Sequence, residues 1–167
     1  VRCTCEGCVL KGRKKGEPNL FAGSMINHGV VVHIDPVTCC NNVYAFLQEL
    51  QRRRKKQGGV LFLTIGIRQY SDINNIYGYE VGDSVLRSFA DYLDKLIPET
   101  KRIYRVDGVK FATILPVDMQ NEIRDLFFRI KEAGEQGILA GGERIRLSVY
   151  GISIQFKHMP VSESIVF

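Results

Sequence analysis

The stretch Arg105–Phe111, RVDGVKF, decides the fold because it joins two apolar runs through a tight-turn signal. Arg102–Val106 and Val109–Leu115 each have the length and the apolar, β-branched composition of a strand. Asp107-Gly108 between them is a dipeptide typical of a short β-hairpin. The stretch therefore predicts two adjacent antiparallel strands.

Apolar periodicity on both sides of this hairpin predicts further helices and strands. Helices are expected from Val43 to a basic end at Lys56, and over Tyr70–Ile76, Asp83–Leu96 and Met119–Gln136, and strands over Val60–Ile67 and Arg144–Phe156. This order predicts an α+β fold in which helices cover a mostly antiparallel sheet, as in ferredoxin-like and nucleotidyl cyclase palm folds.

Length and composition limit the classes of protein. The 167 residues, 45% of them hydrophobic, suffice for one domain with a small appendage. The net charge of +5 comes from 23 basic and 18 acidic residues in mixed order, which does not favour a nucleic-acid partner. The basic run Arg52–Lys56 is expected to be a solvated helix end, with a nucleic-acid patch as the alternative. No apolar run is long enough to span a membrane, so we expect no membrane contact from this fragment.

Five cysteines are present, but their spacing does not favour a metal site. Cys3, Cys5, Cys8, Cys39 and Cys40 include a single Cys-x-x-Cys pair, whereas zinc centres generally use two such pairs or added histidines. We therefore predict free thiols, no bound metal and a cytoplasmic location. A membrane anchor elsewhere in a longer protein remains compatible with this prediction.

A second motif, NNIYGYEVGD at Asn74–Asp83, joins the hairpin in a resemblance to a known family. Together the two motifs resemble the GGDEF family of diguanylate cyclases over Asp35–Phe156. The resemblance implies a cyclase fold and, in active members, the joining of two GTP molecules into cyclic di-GMP with divalent metal. It also implies that this chain is a degenerate member, because the expected metal ligands are missing.

The family's carboxylate positions hold residues of the wrong chemistry. By alignment, two acidic positions fall on Gly66 and Arg68, and the signature falls on Asp107, Gly108, Val109, Lys110 and Phe111. Magnesium takes oxygen ligands, which Gly66 and Val109 lack, while Arg68 and Lys110 bring positive charge. We therefore expect no catalytic residues and no resident cofactor, with Mg²⁺ and GTP relevant only if residual family function persists.

The resemblance leaves part of the nucleotide site in place. The family's guanine-reading residues fall on Asn74 and Asp83, although each has a structural alternative, a turn residue and a helix N-terminal carboxylate. The family's product-inhibition motif falls on Pro98–Lys101 and is missing. We expect its final helix, which would follow the last strand, to be missing too. Arg105 is expected to pair with a neighbouring carboxylate rather than with a ligand.

The resulting prediction divides the chain in two. Residues 1–34, with strands expected at Arg2–Leu10 and Leu20–Ile26, are similar to the last hairpin of a PAS sensor domain followed by a linker. Residues 35–167 are predicted to be a degenerate GGDEF domain acting as a regulatory or interaction module. The alternatives are a non-catalytic GTP sensor and a cyclase with unusual metal ligands. The partners considered are weakly bound GTP, an upstream sensor, a downstream phosphodiesterase domain and a second copy of the chain.

Overall fold

A computed structural model describes residues 33–54, 59–97 and 102–156. The predicted hairpin and nearly all of its linker in 1–34, the helix end at Lys55 and Lys56, the segment Pro98–Lys101 and the chain after Phe156 lie outside the described residues. The PAS-like assignment and the missing final helix therefore stay predictions.

The described elements follow one another in an order close to the predicted one. They are β1 (Asn41–Asn42), α1 (Val43–Arg54), β2 (Val60–Arg68), α2 (Tyr70–Tyr77), α3 (Tyr79–Leu96), β3 (Tyr104–Asp107), β4 (Lys110–Leu115), a 3-10 helix (Val117–Asn121), α4 (Ile123–Gln136), β5 (Ile138–Ala140), β6 (Glu143–Ile145) and β7 (Ser148–Phe156).

Five strands form the main sheet in the order β1-β3-β4-β2-β7. Only the short β1–β3 pairing is parallel, and the other three pairings are antiparallel. The predicted α+β class with a mostly antiparallel sheet is therefore confirmed. Strand β2 lies between β4 and β7, and this places its end beside the β3–β4 hairpin.

Several predicted boundaries are wrong for local reasons. The expected strand Arg144–Phe156 is divided, because β6 pairs with β5 in a separate two-stranded sheet before β7 begins. The helix expected from Met119 starts as a 3-10 turn and becomes α-helical at Ile123. Helix α3 begins at Tyr79 instead of Asp83, directly after Gly78, whose φ of 86° ends α2.

The sheet separates two hydrophobic cores. Side chains alternate along β2, so Leu63 and Ile65 enter the larger core beneath α3 and α4, while Phe62 enters the smaller core beneath α1. Phe111 of β4 is fully buried in the larger core, where its ring meets Phe89 edge to face with centroids 5.6 Å apart. Burial of one such aromatic side chain contributes about 1.5–3 kcal/mol. These cores fix the position of the hairpin between β3 and β4.

None of the described helices is both long enough and apolar enough to cross a membrane.

Candidate functional site

The hairpin turn lies one residue later than the sequence predicts. Asp107 pairs with Lys110, which leaves Gly108 and Val109 as the turn residues. The register shifts between Arg105 and Asp107, so the extra residue is accommodated within β3 instead of in the turn.

Asp107 is held by its own hairpin. Its Oδ1 accepts the N–H of Gly108 at 2.9 Å, and its Oδ2 lies 3.1 Å from Lys110 Nζ. The hydrogen bond and the charge of Lys110 lower the pKa of the Asp107 carboxyl below its usual value. The carboxylate therefore stays ionised, but its charge is partly neutralised across the turn.

The end of β2 lies beside this turn, as the resemblance requires. Gly66 pairs with Lys110 in the β2–β4 register, and the N–H of Ile67 donates to the carbonyl oxygen of Val109 at 3.3 Å. The structure thus brings together Gly66 and the signature positions from Asp107 to Lys110.

Tyr150 of β7 covers Gly66 from the other side. The two residues are paired in the β2–β7 register, and a Cβ atom added to Gly66 would lie 2.5 Å from Cε1 and Oη of Tyr150. The guanidinium carbon of Arg68 lies 5.0 Å from the centre of the same ring, a cation–π arrangement. Sequence reasoning missed Tyr150, because a register between strands about 80 residues apart leaves no local signal.

These residues do not fit a divalent metal ion. Across the described ranges 33–54, 59–97 and 102–156, no three His, Cys, Asp or Glu side chains are grouped closely enough to hold one. Asp107 is the carboxylate of the turn, and it is paired with Lys110. Arg68 adds a second positive charge next to the space that Tyr150 fills. The positions around Gly66 therefore lack the free carboxylates that a divalent metal ion would need.

Arg105 connects the hairpin to the segment before β1. Its Nη1 donates to Asp35 Oδ2 at 2.9 Å, and its Nε donates to the carbonyl oxygen of Gly108 at 2.9 Å. The same Asp35 oxygen accepts the N–H and the hydroxyl of Thr38, each at 2.8 Å. The prediction that Arg105 pairs with a neighbouring carboxylate is confirmed. Asp35 thus joins the turn that it forms with Thr38 to the hairpin through Arg105.

Asn74 and Asp83 lie on the helical pair α2–α3. Asn74 packs against Gly82 so closely that any Cβ on that glycine would overlap Asn74 Oδ1. This oxygen is buried and has no hydrogen-bond partner in the part of the chain that the structure describes. Asp83 lies inside α3, four residues after its first residue, so the helix-start alternative for Asp83 is wrong.

Tyr70 joins this polar cluster, although the sequence did not single it out. Burial, followed by the negative charge of Asp83, raises the pKa of the Tyr70 hydroxyl above its usual value, and the charges of Arg105 and Arg87 act in the opposite direction. The Tyr70 hydroxyl also lies 2.8 Å from where a Cβ of Gly82 would be. The cluster is therefore within electrostatic reach of the hairpin.

A separate open cleft, about 410 Å³ in volume, lies beside α1. It is lined by His33, Asn41, Ala45, Gln48, Glu49, Arg52, Arg102 and Tyr104. Glu49 and Arg52 are paired at 2.6 Å, so much of the charge at the wall is already satisfied. The cleft shares no residue with the hairpin site.

The two described cysteines differ in state. Cys40 is a free thiol, and burial raises its pKa to about 12, which keeps it protonated and unreactive. Cys39 is disulfide-bonded. The prediction of free thiols therefore holds for Cys40 and is wrong for Cys39.

Comparison with known proteins identifies a family for most of the chain. Residues 32–154 match the family model described as "Diguanylate cyclase, GGDEF domain". Among curated proteins, the diguanylate cyclase DgcP of Pseudomonas aeruginosa is 30% identical over 132 residues, which are 77% of this chain and 17% of that protein. The diguanylate cyclase DgcS of Shewanella oneidensis is 28% identical over 85 residues, 48% of this chain and 29% of that protein. The chain thus spans less than a third of either relative.

Solved structures share the fold. The GGDEF domain of FimX from Pseudomonas aeruginosa superposes with a TM-score of 0.69 at 16% identity, covering 79% of this chain and 85% of that one. The diguanylate cyclase SiaD, solved with its activator SiaC from the same species, gives a TM-score of 0.67 at 17% identity, covering 77% and 51%. At these identities the likeness extends to the fold alone.

Proposed function

Because this chain belongs to the diguanylate cyclase GGDEF family, we propose that it is a non-catalytic GGDEF domain with a regulatory or interaction role in cyclic di-GMP signalling. The observation that carries the proposal is the chemistry at the end of β2. Gly66 lies under the Tyr150 ring, and its partner across the β2–β4 register is the cation Lys110. The positions where the family places its metal ligands thus supply no free carboxylate.

The physical argument concerns charge. Joining two GTP molecules places a hydroxyl and a triphosphate together, and divalent metal normally neutralises the phosphate charge and activates the hydroxyl. Magnesium takes hard oxygen ligands in near-octahedral geometry. Lys110 and Arg68 repel such an ion, and Asp107 is engaged with Lys110 and Gly108. The site therefore favours a structural role over catalysis.

A non-catalytic GTP sensor is the second candidate. It is supported by Asn74, whose buried Oδ1 has no hydrogen-bond partner within the described chain, and by Asp83 on the neighbouring helix. Buried polar groups normally find partners, and an unsatisfied group costs about 1–3 kcal/mol. A ligand that approaches α2 and α3 and shifts the amide could relieve that cost.

The partners proposed are other domains of the same protein, namely a sensor before this domain and a phosphodiesterase after it, or a second copy of the chain.

We propose the cytoplasm as the compartment of this domain. The disulfide at Cys39 stands against this location, since cytosolic proteins seldom keep disulfides. Fractionation of cells that express the whole protein tests this location, and recovery of the domain outside the cytoplasm would contradict it.

The deciding experiment is an assay for the reaction. Purified protein is incubated with GTP and either Mg²⁺ or Mn²⁺, and the nucleotides are separated by chromatography. The diguanylate cyclase DgcP provides the positive control. We expect GTP to remain unchanged in the presence of this chain. Cyclic di-GMP that forms with the wild type and disappears in Asn74→Ala and Asp83→Ala would overturn the proposal in favour of a cyclase with unusual ligands.

A further inference from the structure

We propose that the Tyr150 ring occupies the space at Gly66 where the family places a metal-binding carboxylate. The site has then lost both its ligands and the room for a metal ion. The inference rests on the proposed function and deepens it. It predicts that putting the lost carboxylates back does not restore metal binding as long as the Tyr150 ring is present.

The first step of the argument is the register. Gly66 lies in one row across three strands, with Lys110 of β4 on one side and Tyr150 of β7 on the other. Residues paired across neighbouring strands project from the same face of a sheet. The side chains of Lys110 and Tyr150 therefore flank the space into which a side chain at position 66 would extend.

The second step is the distance. A Cβ at position 66 would be 2.5 Å from Cε1 and Oη of Tyr150, whereas non-bonded carbon atoms pack at about 3.5–4.0 Å. Even alanine would displace the ring, and aspartate would need still more space. Glycine is the residue that lets the ring lie against the β2 backbone.

The third step is what holds the ring. Arg68 is two residues after Gly66, so it projects from the same face of β2, and its guanidinium carbon is 5.0 Å from the ring centre. Movement of Tyr150 away from Gly66 would give up this cation–π contact. Gly66, Tyr150 and Arg68 therefore stabilise one another in a closed arrangement.

A thermal denaturation cycle tests the packing. Gly66→Ala should lower the Tm of the wild type, where the added Cβ must push the end of the Tyr150 side chain aside, and should lower it less in the Tyr150→Ala background, where the space is open. Gly108→Ala is the matched control, because a Cβ there meets nothing within 4 Å and its φ is not left-handed. An equal fall in both backgrounds, or no fall in the wild type, would overturn the inference.

A metal-binding measurement tests the functional consequence. Carboxylates are introduced by Gly66→Asp, Val109→Glu and Lys110→Glu, with and without Tyr150→Ala, and Mn²⁺ binding is followed by electron paramagnetic resonance. Circular dichroism checks that each variant is folded. We expect binding only when Tyr150→Ala is included. Equal binding without that change, or no binding by either folded variant, overturns the role of Tyr150.

The two proposals fail in different ways. Cyclic di-GMP synthesis by the wild type would overturn the non-catalytic function. The thermal cycle would still report whether the ring occupies the space at position 66.

Discussion

Arg105 shows how a family-matched residue serves the fold of this chain. Its guanidinium donates both to Asp35 and to the carbonyl oxygen of Gly108, and the Arg105 and Asp35 side chains are only 14% and 16% exposed. A pair this shielded from water cannot lose one partner without leaving a poorly solvated charge. The residue therefore fixes the hairpin turn against the segment that precedes β1.

Replacement of Arg105 should lower stability markedly. For Arg105→Ala we expect a loss of about 1.5–3 kcal/mol in the free energy of unfolding, the range for hydrogen bonds to charged groups. Urea denaturation gives the value. Arg52→Ala is the matched control, since Arg52 is 54% exposed and water screens its pair with Glu49, so this change should lower stability much less. Similar losses for both variants would show that the Arg105–Asp35 pair contributes no more to the free energy of unfolding than an exposed pair does.

Asn74 and Asp83 determine how tightly we expect this chain to bind GTP. Two hydrogen bonds to a guanine edge must offset the cost of immobilising the ligand, and among the residues that the structure describes we expect Arg68 and Lys110 to face the triphosphate as neutralising charges. We expect a Kd in the high-micromolar to millimolar range, about −4 to −6 kcal/mol, with little dependence on magnesium. Calorimetric titration with and without Mg²⁺ measures it. Micromolar binding that requires Mg²⁺ would instead indicate a metal site supplied by another carboxylate.

At the scale of elements, α1 is stabilised by charges placed one turn apart. Glu49 accepts hydrogen bonds from Arg52 and Arg53, three and four residues later. The hydrogen bond from Arg52, followed by the one from Arg53, lowers the pKa of the Glu49 carboxyl to about 2, although burial opposes the shift. Such pairs support the end of a helix whose N-terminus is capped by Asn42, whose Oδ1 accepts the N–H of Ala45.

The lowered pKa of Glu49 predicts a dependence of stability on pH. The unfolded carboxyl titrates near its ordinary value of about 4.3, so the contribution is complete above that pH and is lost as pH falls toward 2. Because Arg52 is largely in water, screening limits the contribution to about 1 kcal/mol or less. Glu49→Gln should therefore destabilise the protein at pH 7, and the difference from wild type should shrink at pH 3. A constant difference in denaturant midpoints between these pH values would contradict the assignment.

The types of the long helices and strands were predictable from the sequence, but their ends, the short elements and the registers between strands were not. The long periodic stretches gave α3 and α4, since apolar side chains at helical spacing need a shared buried face. The α2–α3 boundary was missed because it depends on the backbone of Gly78, which has φ of 86° and ψ of 163°. Strands β5 and β6 have three residues each, too few for a periodic signal. Tyr150 was missed because its role exists only once β7 has paired with β2.

Across the whole described chain, the main sheet separates two hydrophobic cores of unequal size. The smaller core depends on α1, whose Phe46 ring meets Tyr104 edge to face with centroids 5.3 Å apart. The larger core takes in α3, α4 and one face of the sheet, and it holds Phe89 and Phe111 fully out of water. The hairpin site lies where β2, β4 and β7 meet, so its geometry depends on the strands more than on α1.

The double pairing of β2 has a consequence for amide hydrogen exchange. This strand is paired along its length with β7 and over six residues with β4, so its N–H groups are released only when the sheet itself separates. We expect the slowest deuterium uptake at Leu63 and Ile65, at a rate set by global unfolding, and faster uptake in α1, which covers only the smaller core. Mass spectrometry of peptic fragments measures both rates. If they are equal, the two cores open as one cooperative unit. If α1 exchanges first, the domain has a partly open state in which α1 is released while the hairpin site stays folded.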